Sequence, residues 1–395
     1  MREMKDSGIE WIGQIPKRWQ LRRAKTLFTQ RNSKGNRIEV LLSPTQKYGV
    51  VPQSQLEGVV QVKEDTDLQM FKTVHKGDFV ISLRSFQGGF EYSLYEGVCS
   101  PAYQVFYPTT PICDLYYRYL FKSQSFISKM NNLTVGIREG KNIQYIDFAN
   151  SQIPVPPIAE QERIAAFLDA ECAVIDAVLE KTRASIEEYK KLKQAVITQA
   201  VTKGVRGDRP MKDSGSIWFG EIPHNWTMKR IKYLFHIKKD IAGAEGHTVL
   251  SITQSGIKPK DLSKNEGQIA ANYSQYQLLA PGDFAMNHMD LLTGWVDISR
   301  YSGVTSPDYR VFVLDDTEKN DSSYYLYLMQ MCYFNRIFYG LGQGVSGMGR
   351  WRLQADKFLN FPVVIPPVDE QKEIASYLNE KCSGIEVMIA KKQQY

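Results

Sequence analysis

The sequence contains two copies of one pattern, and this repeat limits the chain to folds built from two similar domains. Residues 4–28 read MKDSGIEWIGQIPKRWQLRRAKTLF, and residues 211–235 read MKDSGSIWFGEIPHNWTMKRIKYLF. The same register continues further along the chain, pairing residues 76–79 with 281–284, 97–106 with 303–312, and 156–161 with 366–371. The offset between copies stays between 205 and 210 positions. Two copies of one domain that differ by small loop changes therefore account for most of the sequence.

Each copy has a mixed segment followed by a long helical segment. The mixed segment contains short β-branched and aromatic runs, such as residues 78–83, between glycine-rich breaks. A Pro-Pro pair then precedes a helical pattern that is predicted from Ile158 to about Ala200 in the first copy and from Val368 to Tyr395 in the second. The sequence predicts a first domain over 1–155, a first long helix over 156–203, a second domain over 204–365 and a second long helix over 366–395.

The first long helix needs a partner along its length. Apolar residues recur along it mostly at three- and four-residue steps: Ile164, Phe167, Leu168, Val174, Ile175, Val178, Leu179, Ile186, Tyr189, Leu192 and Val196. A helix of this length spans roughly 60 Å, which is too long to be buried inside one such domain. The prediction is an α+β chain in which two repeated mixed α/β domains are separated by two long antiparallel coiled-coil helices, with pseudo-twofold symmetry. The second helix is shorter than the first by about fifteen positions on the repeat register.

Composition excludes several other classes. The sequence has no apolar run of about 18 residues, so no membrane span is expected. The first residues are polar and charged, so no signal peptide is expected and the cytoplasm is the default location. The five cysteines are scattered without a Cys-x-x-Cys pair, which argues against a structural zinc site. The net charge of +6 is compatible with a polyanionic partner without pointing to one.

Two motifs, each present twice, carry a resemblance to a known family. The first is Pro-Pro-x-x-Glu-Gln at the start of each long helix, at residues 156–161 and 366–371. The second is Trp-x-Gly-x-Ile-Pro-x-x-Trp near the start of each domain, at residues 11–19 and 218–226. In these motifs and their mutual spacing the chain resembles the DNA-specificity subunits of type I restriction-modification enzymes over essentially its whole length.

This resemblance implies a function. Each mixed domain would be a target recognition domain that reads one half of a bipartite, asymmetric sequence in double-stranded DNA. The helices would hold the two domains apart and bind two methyltransferase subunits, which carry S-adenosylmethionine, and restriction subunits with motor and nuclease activity would join for cleavage. The chain itself would be non-catalytic and hold no cofactor or metal. We also expect that lengthening the short second helix raises affinity for the second methyltransferase subunit.

Two regions in each copy are rich in residues that read bases or contact phosphates. The first follows the Gly-Asp-Phe strand, with Arg84, Ser85 and Gln87 in one copy and Asn287 and His288 in the other. The second precedes the long helix; its candidates are Arg138, Lys141, Asn142 and Gln144 in copy one and Gln343, Ser346, Arg350, Trp351 and Arg352 in copy two. The alternative for each residue is an ordinary solvated loop position. For Trp351 it is an indole packed at the domain rim, and the glycine run at 340–349 would suit backbone close to a phosphate or a loop that orders on DNA.

Two other functions compete with DNA specificity as interpretations of this sequence. A self-contained DNA methyltransferase or nuclease would need a catalytic motif, and residues 100–103 and 306–309 are the nearest approach to the Asn/Asp-Pro-Pro-aromatic motif of amino-methyltransferases. Each of these lacks the second proline. A coiled-coil scaffold that does not bind DNA would have no use for repeated domains with diverged polar loops.

Overall fold

The computed structural model describes residues 2–34, 40–56, 68–82, 89–133, 143–261, 272–344 and 351–394. The chain divides into two compact units, Met1–Val178 and Leu179–Tyr395, and each is described by itself. Among the described residues, no helix combines the length and the apolar character needed to span a membrane.

The first unit contains twelve strands within its described residues. They are β1 (Met4–Asp6), β2 (Gln14–Pro16), β3 (Gln20–Arg23), β4 (Phe28–Arg31), β5 (Leu42–Thr45), β6 (Gly49–Pro52), β7 (Lys72–Val74), β8 (Phe79–Ile81), β9 (Phe90–Tyr92), β10 (Gly97–Cys99), β11 (Gln104–Pro108) and β12 (Gln152–Val155). Its short helices are α1 (Asp114–Lys122), α2 (Gln124–Leu133) and α3 (Tyr145–Asn150), and the long helix α4 (Ile158–Lys203) follows β12.

The second unit repeats this order of elements. Its described strands are β13 (Met211–Asp213), β14 (Glu221–Pro223), β15 (Thr227–Arg230), β16 (Phe235–Lys238), β17 (Leu250–Thr253), β18 (Gly256–Pro259), β19 (Gln277–Leu279), β20 (Phe284–Met286), β21 (Val296–Ile298), β22 (Gly303–Thr305), β23 (Arg310–Leu314) and β24 (Pro362–Ile365). Its helices are α5 (Ser322–Phe334), α6 (Ile337–Leu341), α7 (Ala355–Asn360) and the long α8 (Val368–Gln393).

The sheet topology of the two units is the same. Each has one four-stranded antiparallel sheet, in the order β4-β11-β8-β9 in the first unit and β16-β23-β20-β21 in the second. The two-stranded pairs also correspond, since β3 pairs with β12 just as β15 pairs with β24. The repeat predicted from the sequence is therefore a repeat of fold, and the α+β class is confirmed.

Phenylalanines from the shared segments form the centre of each domain. Phe79 of the Gly-Asp-Phe segment stacks on Phe106, with ring centroids 5.3 Å apart. Their counterparts Phe284 and Phe312 stack at 5.2 Å. All four side chains are completely buried, so both copies use the repeated residues to build the same core.

The helix α4 begins and ends where local chemistry dictates. The sequence from Ile158 to Lys203 contains neither glycine nor proline, and the Pro-Pro pair before it stops the preceding strand. The helix ends at Gly204, whose φ of +78° suits glycine, and its N–H donates to the carbonyl of Ala200. A Cβ at Gly204 would lie 2.0 Å from the Arg209 guanidinium, so a side chain there would also have to displace this group. The predicted start at Ile158 is confirmed.

The glutamine of each Pro-Pro-x-x-Glu-Gln motif joins the long helix to its own domain. The side chain of Gln161 accepts a hydrogen bond from the N–H of Cys113, directly before α1, at 3.0 Å, and donates to the Pro156 carbonyl at 2.8 Å. Gln371 does the same with the Asp321 N–H and the Pro366 carbonyl, at 2.8 and 3.0 Å. The motif therefore fixes the point at which each long helix leaves its domain.

The glutamate of the motif forms an ion pair in both copies. Glu160 pairs with Arg2, and Glu370 pairs with Arg209, which lies 207 positions after Arg2 in keeping with the repeat. The environments differ, because the Glu370 side chain is 0% exposed whereas Glu160 is 13% exposed and Arg2 is 63% exposed. The same contact is thus solvated in the first unit and buried in the second.

In the second unit the end of α4 runs antiparallel to α8. Lys193 pairs with Glu386, and the ammonium of Lys392 lies 5.8 Å from the ring centroid of Tyr189. Residue numbers thus fall along α8 as they rise along α4, which confirms antiparallel pairing over this stretch. Ile197, Ala200 and Val201 of α4 share a buried cluster with Ile374 and Leu378 of α8.

The part of α4 that belongs to the first unit has an exposed apolar face. Phe167, Val174, Ile175 and Val178 follow one side of the helix, and each is between 55% and 62% exposed. We call these four residues the apolar stripe. The apolar pattern predicted a partner along the whole helix, but nothing within the described residues of this unit buries the stripe.

Candidate nucleic-acid interface

Eight of the predicted DNA-binding residues lie outside the described residues. These are Arg84, Ser85, Gln87, Arg138, Lys141, Asn142, Ser346 and Arg350. Gln144 is described in the first unit, and Asn287, His288, Gln343, Trp351 and Arg352 are described in the second. Most of the described candidate residues therefore lie in the second unit.

The two predicted regions of the second unit meet. The Leu353 N–H donates to the His288 carbonyl at 2.9 Å, which joins the segment after β20 to the segment before α7. Gln343 and Arg352 face each other in an antiparallel bridge, with backbone hydrogen bonds of 2.9 and 3.0 Å in both directions. Residues that are 55 or more positions apart in the sequence thus form one surface.

A cleft of about 530 Å³ opens at this junction, and the charged side chains that line it are all basic. Its polar lining consists of Lys239, Gln277, His288, Tyr309, Arg310, Arg352 and Gln354. Among the described residues that line it there is no aspartate or glutamate. The lining of the cleft therefore offers three cationic side chains and two amides and contains no carboxylate. This combination of donors suits phosphates and base edges.

Arg310 is the most buried cation of the cleft. Arg310 is 6% exposed. Its Nη2 donates to the Leu353 carbonyl at 2.9 Å, and its guanidinium lies 5.1 Å from the ring centroid of Phe358. Burial lowers the pKa of Arg310 to about 10, so the side chain remains charged at neutral pH. Among the described residues no carboxylate lies within ion-pair distance of it. Sequence analysis missed Arg310 because its position within the apolar run of β23 is typical of core.

His288 is neutral at neutral pH. Burial, and then the positive charges of Arg310 and Arg352, lower the pKa of its imidazole to about 3. Its Nδ1 is buried and has no hydrogen-bond partner among the described residues. The ring can therefore act as a neutral donor and acceptor at the wall of the cleft.

Asn287 and Trp351 are engaged in the domain's own structure. The Asn287 side chain accepts from the N–H groups of Met289 and Asp290 at 3.2 and 3.3 Å, which closes a turn. The indole of Trp351 donates to the Tyr339 carbonyl at 2.7 Å and stacks on the Tyr339 ring. A Cβ at Gly342 would lie 2.5 Å from this indole. Close packing of Trp351, rather than a phosphate, thus explains this glycine of the 340–349 run.

The first unit places amides at the corresponding positions. Gln104 occupies the place of Arg310 in the repeat, and its Nε2 donates to the Gln144 side chain at 2.9 Å. The same Nε2 lies 3.4 Å from the Ile143 carbonyl, the counterpart of Leu353. The exchange of Gln104 for Arg310 lies within otherwise similar segments, Ser-Pro-Ala-Tyr-Gln-Val-Phe and Ser-Pro-Asp-Tyr-Arg-Val-Phe. That exchange is the sequence signal that could have identified the position.

A larger groove of about 810 Å³ lies beside α5 and α8. Its lining includes Lys193 and Arg300 but also the carboxylates Asp297 and Glu386, so its charge is mixed. It contains none of the predicted DNA-binding residues, and the smaller cleft is therefore the candidate site. Within the described part of the chain, no three His, Cys, Asp or Glu side chains form a group that could hold a metal ion.

Known proteins share this sequence pattern and this architecture. The Methanocaldococcus jannaschii type I restriction enzyme MjaVIII specificity subunit is 24% identical over 304 residues, which cover 71% of this chain and 66% of that protein. The matched region thus spans slightly less than two-thirds of that relative. A chain from a structural study of complex assembly and conformational transition in the type I R-M system matches with a TM-score of 0.68 at 13% identity, over 96% of this chain and 94% of that one. The HsdS subunit from Thermoanaerobacter tengcongensis matches with a TM-score of 0.50 at 13% identity, over 96% and 92% of the two chains.

The sequence profile of the type I restriction modification DNA specificity domain matches the chain twice, at residues 16–188 and 223–394. These two matches coincide with the two copies of the fold described above, and together they cover most of the sequence. The chain belongs to the family of type I restriction-modification DNA specificity domains and carries two of them.

Proposed function

We propose that this chain is the DNA-specificity subunit of a type I restriction-modification enzyme, in which each domain reads one half of a bipartite site in double-stranded DNA. The observation that supports this most directly is the carboxylate-free cationic cleft, which forms where two segments that differ between the copies come together. A shared scaffold with divergent polar loops suits two readers of different sequences. A scaffold that does not bind DNA would have no use for such a cleft.

In this proposal the chain contributes recognition, and the chemistry lies with its partners. Two methyltransferase subunits would supply S-adenosylmethionine and the methyl transfer, and restriction subunits would join them for cleavage. The proposed location is the cytoplasm. The specificity subunit of Methanocaldococcus jannaschii and the type I R-M assembly to which the chain is similar support this division of labour.

Removal of two exposed cations from the cleft tests the proposal. The Lys239→Ser/Arg352→Ser variant should bind duplex DNA more weakly, and the slope of log K against log salt should fall by about 2, because each phosphate contact contributes roughly 0.9. Both side chains are exposed, so the fold should be retained. The matched control, Arg300→Ser/Lys319→Ser, removes the same charge from exposed positions outside the cleft and should keep the wild-type slope. Equal slopes for both variants would place the DNA elsewhere.

The apolar stripe on α4 is the proposed contact for a methyltransferase subunit. An exposed apolar face of this kind is typical of a surface that a partner covers. The Phe167→Ser/Val174→Ser variant should lose co-purification with the methyltransferase subunit, because both side chains are 62% exposed and contribute little to the domain core. Glu180→Ser/Lys181→Ser, on exposed polar positions of the same helix, is the control. Undiminished co-purification of the stripe variant would rule out this contact.

A further inference from the structure

The repeat allows one position to be compared in two domains that share a framework. Gln104 and Arg310 are the first residues of the equivalent strands β11 and β23. Gln104 pairs with Ile81 across the sheet and Arg310 pairs with Met286, so both lie opposite the last residue of the Gly-Asp-Phe strand. Each is thus placed where the first divergent loop begins.

Both side chains also reach the second divergent region. Gln104 Nε2 contacts the Ile143 carbonyl, and Arg310 Nη2 donates to the Leu353 carbonyl, which is its equivalent on the repeat register. The position therefore lies between the two loop regions in both domains. Its backbone surroundings are the same, and the side chain is what differs.

Arg310 retains hydrogen-bonding capacity that the domain does not use. A guanidinium has five N–H donors. Apart from the bond to Leu353, the described structure provides only a 4.0 Å contact from Nη1 to the sulfur of Met286. Phe358 packs against the guanidinium and the charge of Asp356 acts on it at longer range, but neither takes up the remaining N–H donors, so a ligand that accepts hydrogen bonds can do so. The cleft beside it is open to such a ligand.

The two side chains differ in how far their own domain uses them. The amide of Gln104 is bonded at both ends within the first domain, because its Nε2 donates to the Gln144 side chain at 2.9 Å and its Oε1 accepts from the Tyr145 N–H at 2.6 Å. Arg310 keeps free donors, and arginine is the usual partner of guanine O6 and N7. The planar fork of a guanidinium matches these two neighbouring acceptors.

We propose that Arg310 is a specificity-determining residue, which reads the major-groove edge of a guanine in the half-site of the second domain. This inference rests on the proposed function, because it assumes that each domain reads a half-site. Arg310 acts by direct contact, with Arg352 and neutral His288 beside it in the cleft.

The test uses the chain assembled with its methyltransferase subunits and a set of duplexes that carry each base pair at each position of the recognised site. Wild type should prefer guanine at one position, and Arg310→Gln should reduce that preference by roughly 10- to 100-fold while the other half-site and the salt slope stay unchanged. Arg300→Gln, an exposed change in the same domain, should leave every preference unaltered.

The outcomes separate this inference from the function on which it rests. If wild type shows no preference for any bipartite site, the proposed function fails. If wild type has such a site and folded Arg310→Gln keeps every base preference, or weakens binding to all duplexes equally, the inference is overturned. Arg310→Lys, which retains the charge and volume more closely, guards against misfolding of the glutamine variant. It should bind DNA with a reduced preference for guanine, because lysine lacks the two-pronged geometry.

Discussion

The low pKa of His288 makes the stability of the second domain depend on pH. In an unfolded chain a histidine has a pKa of roughly 6.5, whereas burial beside Arg310 and Arg352 lowers the pKa of His288 to about 3. Between these two values the unfolded chain binds a proton that the folded domain does not bind. Stability is therefore complete above the unfolded pKa and is lost as pH falls below it. The cationic character of the cleft thus has an energetic consequence at a single residue.

Replacement of His288 by glutamine should reduce the acid sensitivity of the second domain. Between pH 7 and pH 4.5 wild type should lose about 1–2 kcal/mol more free energy of unfolding than His288→Gln, after allowance for the partly solvated ring. Urea unfolding at a series of pH values measures this difference, and the pair compared at pH 7.5 gives the baseline effect of the substitution. If the free energy of unfolding falls equally in wild type and in His288→Gln from pH 7 to pH 4.5, His288 is not neutral in the folded domain.

At the scale of elements, one motif has the same geometry but different solvation in its two copies. The Arg209 guanidinium lies 2.5 Å from the Glu370 carboxylate, which is fully buried at the start of α8. The corresponding pair of Arg2 and Glu160 at the start of α4 is accessible to solvent. Loss of one partner leaves an uncompensated charge in the first case and a hydrated charge in the second.

The two arginines therefore form a matched pair for mutation. Arg209→Ala should lower the free energy of unfolding of the second unit by about 3–5 kcal/mol, whereas Arg2→Ala should cost the first unit less than about 1 kcal/mol. Urea unfolding followed for each unit measures both losses. The double variant Arg209→Met/Glu370→Leu should recover most of the loss, since no buried charge remains. Equal losses for the two single variants would show that burial of the pair is unimportant.

Sequence reasoning succeeded where the signal is local and failed where it depends on distant contacts. The Pro-Pro pair and the absence of glycine predicted the start of α4 at Ile158, and the repeat predicted two copies of one fold. The bond of Gln161 to Cys113, 48 residues away, leaves no trace in local periodicity. Arg310 was missed because its place in the apolar run of β23 is typical of core, whereas its position in the cleft beside His288 and Arg352 depends on contacts between distant segments. The packing of Trp351 on Tyr339 likewise depends on tertiary structure, and the sequence allowed both outcomes for this residue.

At the scale of the whole molecule, the chain repeats one framework and varies the residues at its cleft. If each domain reads a half-site, the long helices set the distance between those half-sites, as a flexible linker could not. Recognition and spacing are then separate properties. The cleft residues determine the bases, and the helices determine the gap.

Insertion of one heptad should change the gap and nothing else. A copy of residues 172–178 inserted after Val178 keeps the apolar stripe in register and leaves the contacts of residues 189–201 with α8 intact. It adds about 10 Å of helix, which corresponds to a change of up to about 3 bp in the gap. A seven-residue Gly-Ser insertion in the turn at residues 316–320 is the control and should leave the gap unaltered. A changed half-site, or an unchanged gap in the heptad variant, would refute the spacer role.

The most direct measurement is the methylome of an unmethylated host that expresses this chain with its methyltransferase subunit, read by sequencing that detects N6-methyladenine. The proposed function predicts one bipartite motif, with two short halves separated by a fixed gap, that is absent when either chain is expressed alone. A methyltransferase that modifies the same motif without this chain, or a soluble assembly supplied with S-adenosylmethionine that produces no motif, would contradict it.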